Sequence, residues 1–171
     1  MDHQDFSVVL VNEQGEVTGS KARREVDKEK DIVHCVDVLV FDGDRLLVSV
    51  IPARPGQIYP NQLANAPATM LRVDETTEEA GRRCLQKEVG IEGGELHLLG
   101  QHFFVYDDGV KRFKTAYWMN HVGPLTLNPD DVSDIHWMTR GEIEELMIED
   151  PAIMAPVFKG VWDIYADQLP F

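Results

Sequence analysis

The stretch Asp74–Gly94, DETTEEAGRRCLQKEVGIEGG, decides how this chain folds. Thr76-x-x-Glu79 is a capping-box pattern and starts a helix at Thr76 or just after it. Gly90 follows the last periodic residue and supplies the C-cap. On a helical projection Gly81, Cys84, Leu85 and Val89 share one arc, and Glu79, Arg82, Arg83 and Gln86 share the other. Glu88 falls inside the apolar arc, one turn after Cys84. A carboxylate that faces a core is costly unless it is paired or bound to a cation. The plain reading is a side chain near the helix end that reaches solvent or pairs with a Lys or Arg. The sharper one is a ligand for a cation.

Strand patterns lie on both sides of this helix. Phe6–Val11 and Glu16–Gly19 flank Asn12-Glu13-Gln14-Gly15, and Cys35–Phe41 and Arg45–Ile51 flank Asp42-Gly43-Asp44, which predicts two hairpins. The charged segment Lys21–Lys30 between them reads as a short helix. PARPGQIYPNQ carries three prolines and is an ordered loop. Leu63–Leu71 reads as one apolar strand leading into the helix. Downstream, Leu96–Tyr106 and Arg112–Val122 flank Asp107-Asp108-Gly109 as a third hairpin, and LNPDDVSDIHWM is a turn followed by a strand. Arg140–Glu149 and Ala155–Gln168 are helical, with a break at Pro151. The order predicts an α+β domain, an α/β/α sandwich with a mixed β-sheet. No repeat or linker divides it, so 1–171 is read as one domain, with an N-terminal hairpin extension (1–33) and C-terminal helices (140–171).

With 171 residues, the chain is long enough for a substantial core, and 43% apolar with 27% charged residues is ordinary for a globular protein. Thirty acidic against sixteen basic residues give a net charge of −14, a field that repels nucleic acid and anionic membranes. MDHQDFS is not a secretory signal, no apolar run is long enough to cross a bilayer, and two cysteines make no disulfide framework. A cytoplasmic protein is expected, monomeric or homodimeric, with no nucleic-acid or membrane partner.

From about Val8 to Leu146 the chain resembles the Nudix hydrolase superfamily, and within it the branch that includes isopentenyl-diphosphate isomerases. The family box runs Gly, five residues, Glu, seven residues, then Arg-Glu-apolar-x-Glu-Glu-x-Gly-apolar. Here Glu75, Arg83, Leu85, Glu88, Gly90 and Ile91 stand at the matching positions, while Thr69, Cys84 and Lys87 replace the opening Gly and two of the three clustered Glu. VLVNEQGEVTGSKARREV, HCVDVLVFDGDRLLVSV and NPDDVSDIHWMTRGEIEEL resemble flanking segments of that branch. The resemblance implies the Nudix fold and hydrolysis of a diphosphate-containing small molecule, such as a nucleoside diphosphate linked to another moiety, with Mg²⁺ or Mn²⁺ on the helix glutamates.

It also implies the site. Glu88 and Glu75 become the catalytic and metal-holding carboxylates, and Lys87, Arg83 and Arg54 the substrate-binding cations. A thiol is a poor ligand for Mg²⁺, and an ammonium repels a divalent cation, so the box is degenerate. Isomerase chemistry in this branch relies on a Cys and a His before the helix and on glutamates in a later strand. LANAPATML holds neither Cys nor His, and GVKRFKTAYWM carries Lys111, Arg112 and Lys114 in place of glutamates, so isomerase activity is not expected.

Three readings stay open. One is a slow or specialised hydrolase built on Glu88 and Glu75. Another is a binder without turnover, with Lys87 standing in for the cation and pairing with Glu88. The third is an interaction module in which Tyr106, Tyr117, Trp118, Trp137, Trp162 and Tyr165 serve core or interface. Elsewhere the signals are plain. His34 and Cys35 point to opposite faces of a strand and no zinc spacing exists. Asp130, Asp131 and Asp134 read as a turn and a solvated edge, and Cys84 as a small core residue.

Overall fold

The computed structural model describes residues 6–106 and 108–171. Nine strands and three α-helices follow in the order β1 (Ser7–Val11), β2 (Val17–Ala22), β3 (Val33–Asp42), β4 (Arg45–Val50), β5 (Leu63–Asn65), β6 (Ala68–Met70), α1 (Thr77–Val89), β7 (His97–Val105), β8 (Lys111–Asn120), β9 (Asp134–Met138), α2 (Arg140–Glu149) and α3 (Pro156–Tyr165). Asp107, in the turn expected between β7 and β8, lies outside the described residues.

All nine strands join one mixed, branched sheet centred on β3. On one side β3 runs parallel to β8, in register from Val33↔Arg112 to Phe41↔Asn120. On the other it meets β4 only at the hairpin tip, through Phe41↔Leu46 and Asp42↔Arg45. Further along, β6 takes over that edge, with Cys35↔Met70 and Asp37↔Ala68. β4 meanwhile pairs with β5 and β9. The other strand pairs are antiparallel, as the expected hairpins require.

Alternation along β3 builds the layers. Val36, Val38 and Val40 face α1 and pack with Cys84, Leu85 and Val89. Leu39 and Phe41 face the opposite way, onto Ile143 of α2 and Phe158, Val161 and Trp162 of α3. Both faces are therefore covered, which is why VHCVDVLVF reads as a nearly continuous apolar run. Gly160 in α3 leaves room for the Phe104 ring of β7, which would collide with any Cβ there. At the end of α1, Gly90 adopts φ +73, where an added Cβ would meet the backbone of Thr126 at 3.2 Å.

Two expectations are corrected. Lys21–Lys30 is not a helix: β2 runs to Ala22 and only the single 3₁₀ turn Arg23–Glu25 follows. Asp27 and Asp31 divert this segment into turns, Asp27 accepting from the Glu29 N–H and Asp31 from Lys21 and the Asp27 N–H. Nor is Leu63–Leu71 one strand. Pro67 has no N–H for a ladder, and its carbonyl accepts instead from the Val38 N–H at 3.0 Å. The chain therefore leaves β4 after Asn65 and joins β3 from Ala68.

Candidate functional site

The α1 capping box forms as the residues require. Thr76 Oγ1 accepts from the Glu79 N–H and Glu79 Oε2 accepts from the Thr76 N–H. Just before it, Asp74 turns the chain with φ 70 and delivers Glu75 to Arg83. Arg83 donates to both Glu75 oxygens, at 3.0 and 2.5 Å, and the Arg72 N–H donates to Oε1 at 2.7 Å. Arg83 also donates to Thr69 Oγ1 and to the Met70 carbonyl, both at 3.1 Å. Burial pushes the Glu75 carboxyl up, but Arg83 and the Arg72 N–H outweigh it and hold it below the usual range. Glu75, Arg83 and Thr69 thus clamp α1 to β6, with the guanidinium fork fully engaged.

Glu88 occupies the other end of the helix. Burial, with Asp131 and then Asp37 adding repulsion, pushes its carboxyl up to about 8 against the pull of Lys87 and of the nearby Ala68 N–H. Lys87 turns away from it and reaches Asp131 at 2.9 Å. The same turn draws in Arg54, whose Nη1 lies 3.7 Å from Asp130. Asn128 fixes the turn by donating to Asp131 at 2.8 Å and accepting from the Asp130 N–H. The five residues expected at the site therefore divide into two groups. Glu88, Lys87 and Arg54 meet at one rim, while Glu75 and Arg83 are joined to each other.

Cys84 is only 1% exposed, its thiol donates to the Gly81 carbonyl, and burial pushes it well above its ordinary range. It is a core residue. No group of three or more His, Cys, Asp or Glu side chains converges in metal-binding geometry among the described residues. Mg²⁺ needs a nearly octahedral set of oxygens. Here Arg83 engages Glu75, burial raises the Glu88 carboxyl to about 8, and position 84 offers a buried thiol. These residues do not fit a resident divalent cation.

Beside Glu88 lies a pair that the sequence reading left unassigned. Lys114 of β8 donates to Asp37 of β3 at 2.7 Å, and both are buried. Burial works against the ammonium, but Asp37 and Tyr106 outweigh it and raise its pKa. Asp37 Oδ1 and both amide atoms of Asn65 are buried without a hydrogen-bond partner. Across the β7–β8 ladder His102 stands opposite Lys114, and it shares a 2.7 Å hydrogen bond with Tyr165. Burial pushes His102 down to about 4. The available signal was Asp37 inside the apolar run of β3.

A NUDIX domain family model matches residues 31–159, and this chain belongs to that family. Isopentenyl-diphosphate Delta-isomerase of Aliivibrio fischeri (strain ATCC 700601 / ES114) is 31% identical over 91% of this chain and 92% of its own length. The uncharacterized Nudix hydrolase YfcD of Escherichia coli (strain K12) is 26% identical over 80% of this chain and 75% of its own. Among solved structures, DR0079 from Deinococcus radiodurans superposes with a TM-score of 0.76 at 22% identity, covering 93% of this chain and 99% of that one. The Nudix fold expected from the sequence is therefore the fold observed, an α+β domain with a mixed sheet.

Proposed function

We propose that this chain binds a diphosphate-containing small molecule, of the kind in which a nucleoside diphosphate is linked to another moiety. We further propose that hydrolysis at its Nudix box is slowed by roughly a hundredfold or more, because the Lewis acid of an intact box contributes several kcal/mol. The observation that carries this reading is the state of the two remaining box glutamates. Arg83 holds Glu75 through both oxygens, and burial pushes the Glu88 carboxyl up to about 8. Membership of the Nudix family supports the ligand class, as does a relative whose name specifies an organic diphosphate. We assign Glu88, Lys87 and Arg54 to the rim of the ligand site.

The isomerase relative's activity is not carried over to this chain. Asn65-Ala66-Pro67-Ala68 supplies neither thiol nor imidazole before α1, and Lys114 pairs with Asp37 in the later strand.

The test is a phosphate-release screen over nucleoside diphosphates and triphosphates, nucleotide sugars, ADP-ribose and isoprenoid diphosphates, run beside calorimetric binding of the same compounds. Mg²⁺, Mn²⁺ and EDTA arms separate the metal's contribution. Binding of at least one diphosphate compound with only trace turnover is expected. Fast Mg²⁺-dependent release that disappears in Glu88→Gln would overturn the slowed-hydrolysis reading. No binding across the panel would overturn the ligand class.

A further inference from the structure

Many basic residues of this acidic chain sit against a carboxylate: Lys21 on Asp31, Lys30 on Asp27, Arg82 on Glu78 and Arg140 on Glu144 and Asp167. The rim cations Lys87 and Arg54 are likewise matched by Asp131 and Asp130. Three arginines of one region depart from it. Arg23, Arg72 and Arg112 have no carboxylate within ion-pair distance among the described residues, although the chain carries thirty acids against sixteen bases.

They also converge. Arg23 and Arg72 flank the Phe6 ring, at 6.0 and 4.4 Å from its centroid. Phe6 and Met70 pack against Cys35, and the Cys35 thiol feels the positive charges of Arg112, Lys114 and Arg23. The strand registers explain why. Arg112 stands beside Val33 and Lys114 beside Cys35, so both β8 cations project from the same face as Cys35 and Asp37. From the other edge, β6 places Met70 beside Cys35 and Ala68 beside Asp37, with Arg72 two residues beyond Met70. Because β3 has parted from β4 by this point, Ala68 is exposed while Asp37, its partner, is buried. Cations thus flank this face of the sheet from both edges.

Two further atoms mark it as incomplete. Asp37 Oδ1, in a residue that is 0% exposed, has no donor, and Arg72 Nε is buried with no acceptor. A group that presents oxygens to arginines and one hydroxyl to Asp37 would complete both.

We propose that this face is an oxyanion site: the phosphate oxygens of the ligand rest on Arg23, Arg72 and Arg112, beside the buried Lys114–Asp37 pair, and no divalent cation intervenes. Guanidinium forks match phosphate geometry in pairs of hydrogen bonds, whereas Lys87 and Arg54 already face Asp131 and Asp130. The inference rests on the diphosphate reading above and names where that ligand's charge is carried.

The experiment is calorimetric titration of the full chain with inorganic pyrophosphate and with ADP-ribose, in EDTA. Wild type is expected to bind, and Arg72→Ala and Arg112→Ala are each expected to weaken binding about tenfold or more, the equivalent of one charge-assisted hydrogen bond. Arg82→Ala, on the outer face of α1, serves as the control. Arg112→Met keeps the length of the stem and should weaken binding as Arg112→Ala does, so a loss caused by disturbed packing would separate the two. Binding that survives both arginine variants but falls with Lys87→Ala or Arg54→Ala would move the phosphates to the rim and overturn this inference alone. Binding that appears only when Mg²⁺ is supplied would overturn it as well. Failure of every diphosphate compound to bind, with or without Mg²⁺, would instead overturn the diphosphate reading.

Discussion

Lys87 forms its ion pair with Asp131, 2.9 Å away in the turn beyond α1, rather than with Glu88, its neighbour in sequence. The expected Lys87–Glu88 pair does not form, because adjacent helical residues diverge by about 100° and Asp131 lies on the Lys87 side.

Glu88 should make stability depend on pH in an uncommon direction. Its unfolded pKa is near the ordinary 4.5 and its folded pKa is about 8, so between these values the folded state holds the extra proton. Stability contributed by the neutral carboxyl is complete below pH 4.5 and is lost as pH rises through 8. Glu88→Gln should remove that slope and stabilise the protein at pH 8.5 by on the order of 2 kcal/mol. Urea melts of both proteins from pH 5 to 9 check it; parallel curves would sink the assignment.

The Glu75–Arg83 clamp predicts the opposite slope. Glu75 is held below its ordinary 4.5, so its contribution is present above that value and disappears as pH falls through the depressed one. Glu75→Gln or Arg83→Ala should cost roughly 2–4 kcal/mol at neutral pH, since each leaves a part-buried charge without its partner. Chemical denaturation reads this directly, and a cost below about 1 kcal/mol would contradict the clamp.

Putting glutamates back into the box should not simply restore a metal site. Cys84→Glu would bury a carboxylate among Val36, Val38 and Leu85, at a cost of at least about 2 kcal/mol. Lys87→Glu would place a carboxylate against Asp131 and Glu88 in place of an ion pair. The double variant is expected to melt earlier than wild type in EDTA and to recover part of the loss in Mg²⁺, whereas wild type should respond equally to the two buffers. Differential scanning calorimetry in each buffer decides.

The Asp37–Lys114 pair invites a double-mutant cycle. Lys114→Met alone strands a buried carboxylate and should cost roughly 3–5 kcal/mol, while Asp37→Leu combined with Lys114→Met should come much closer to wild type. Additive losses would mean that the two residues do not act as a pair.

The parts of this fold governed by near neighbours were legible in the sequence. Thr76 and Glu79 are three residues apart, Gly90 needs only its own backbone, and the β3 alternation is local. Lys114 and Asp37 lie 77 positions apart and meet only through the parallel β3–β8 register, which no local pattern announces. Lys87 finds Asp131 across 44 positions, in a segment that reads as a solvated turn. Pro67 was visible, but the transfer of the chain from β4 to β3 on either side of it depends on which strand edge is vacant. Resemblance gave the box its frame, and geometry then separated Glu75 and Arg83 from Glu88.

The parallel register of β3 with β8 also has a consequence for how this chain can change. The sheet's central seam joins segments on either side of α1, so the helix is carried on a scaffold whose strand pairing does not run through it. What α1 contributes to cohesion comes from Leu85, Val89, the buried Cys84 and the Arg83 clamp, not from carboxylates at 84 and 87. The architecture therefore does not need carboxylates at those two positions, and a lineage can vary the chemistry of its helix while the vessel around it persists, free to be selected for what it holds.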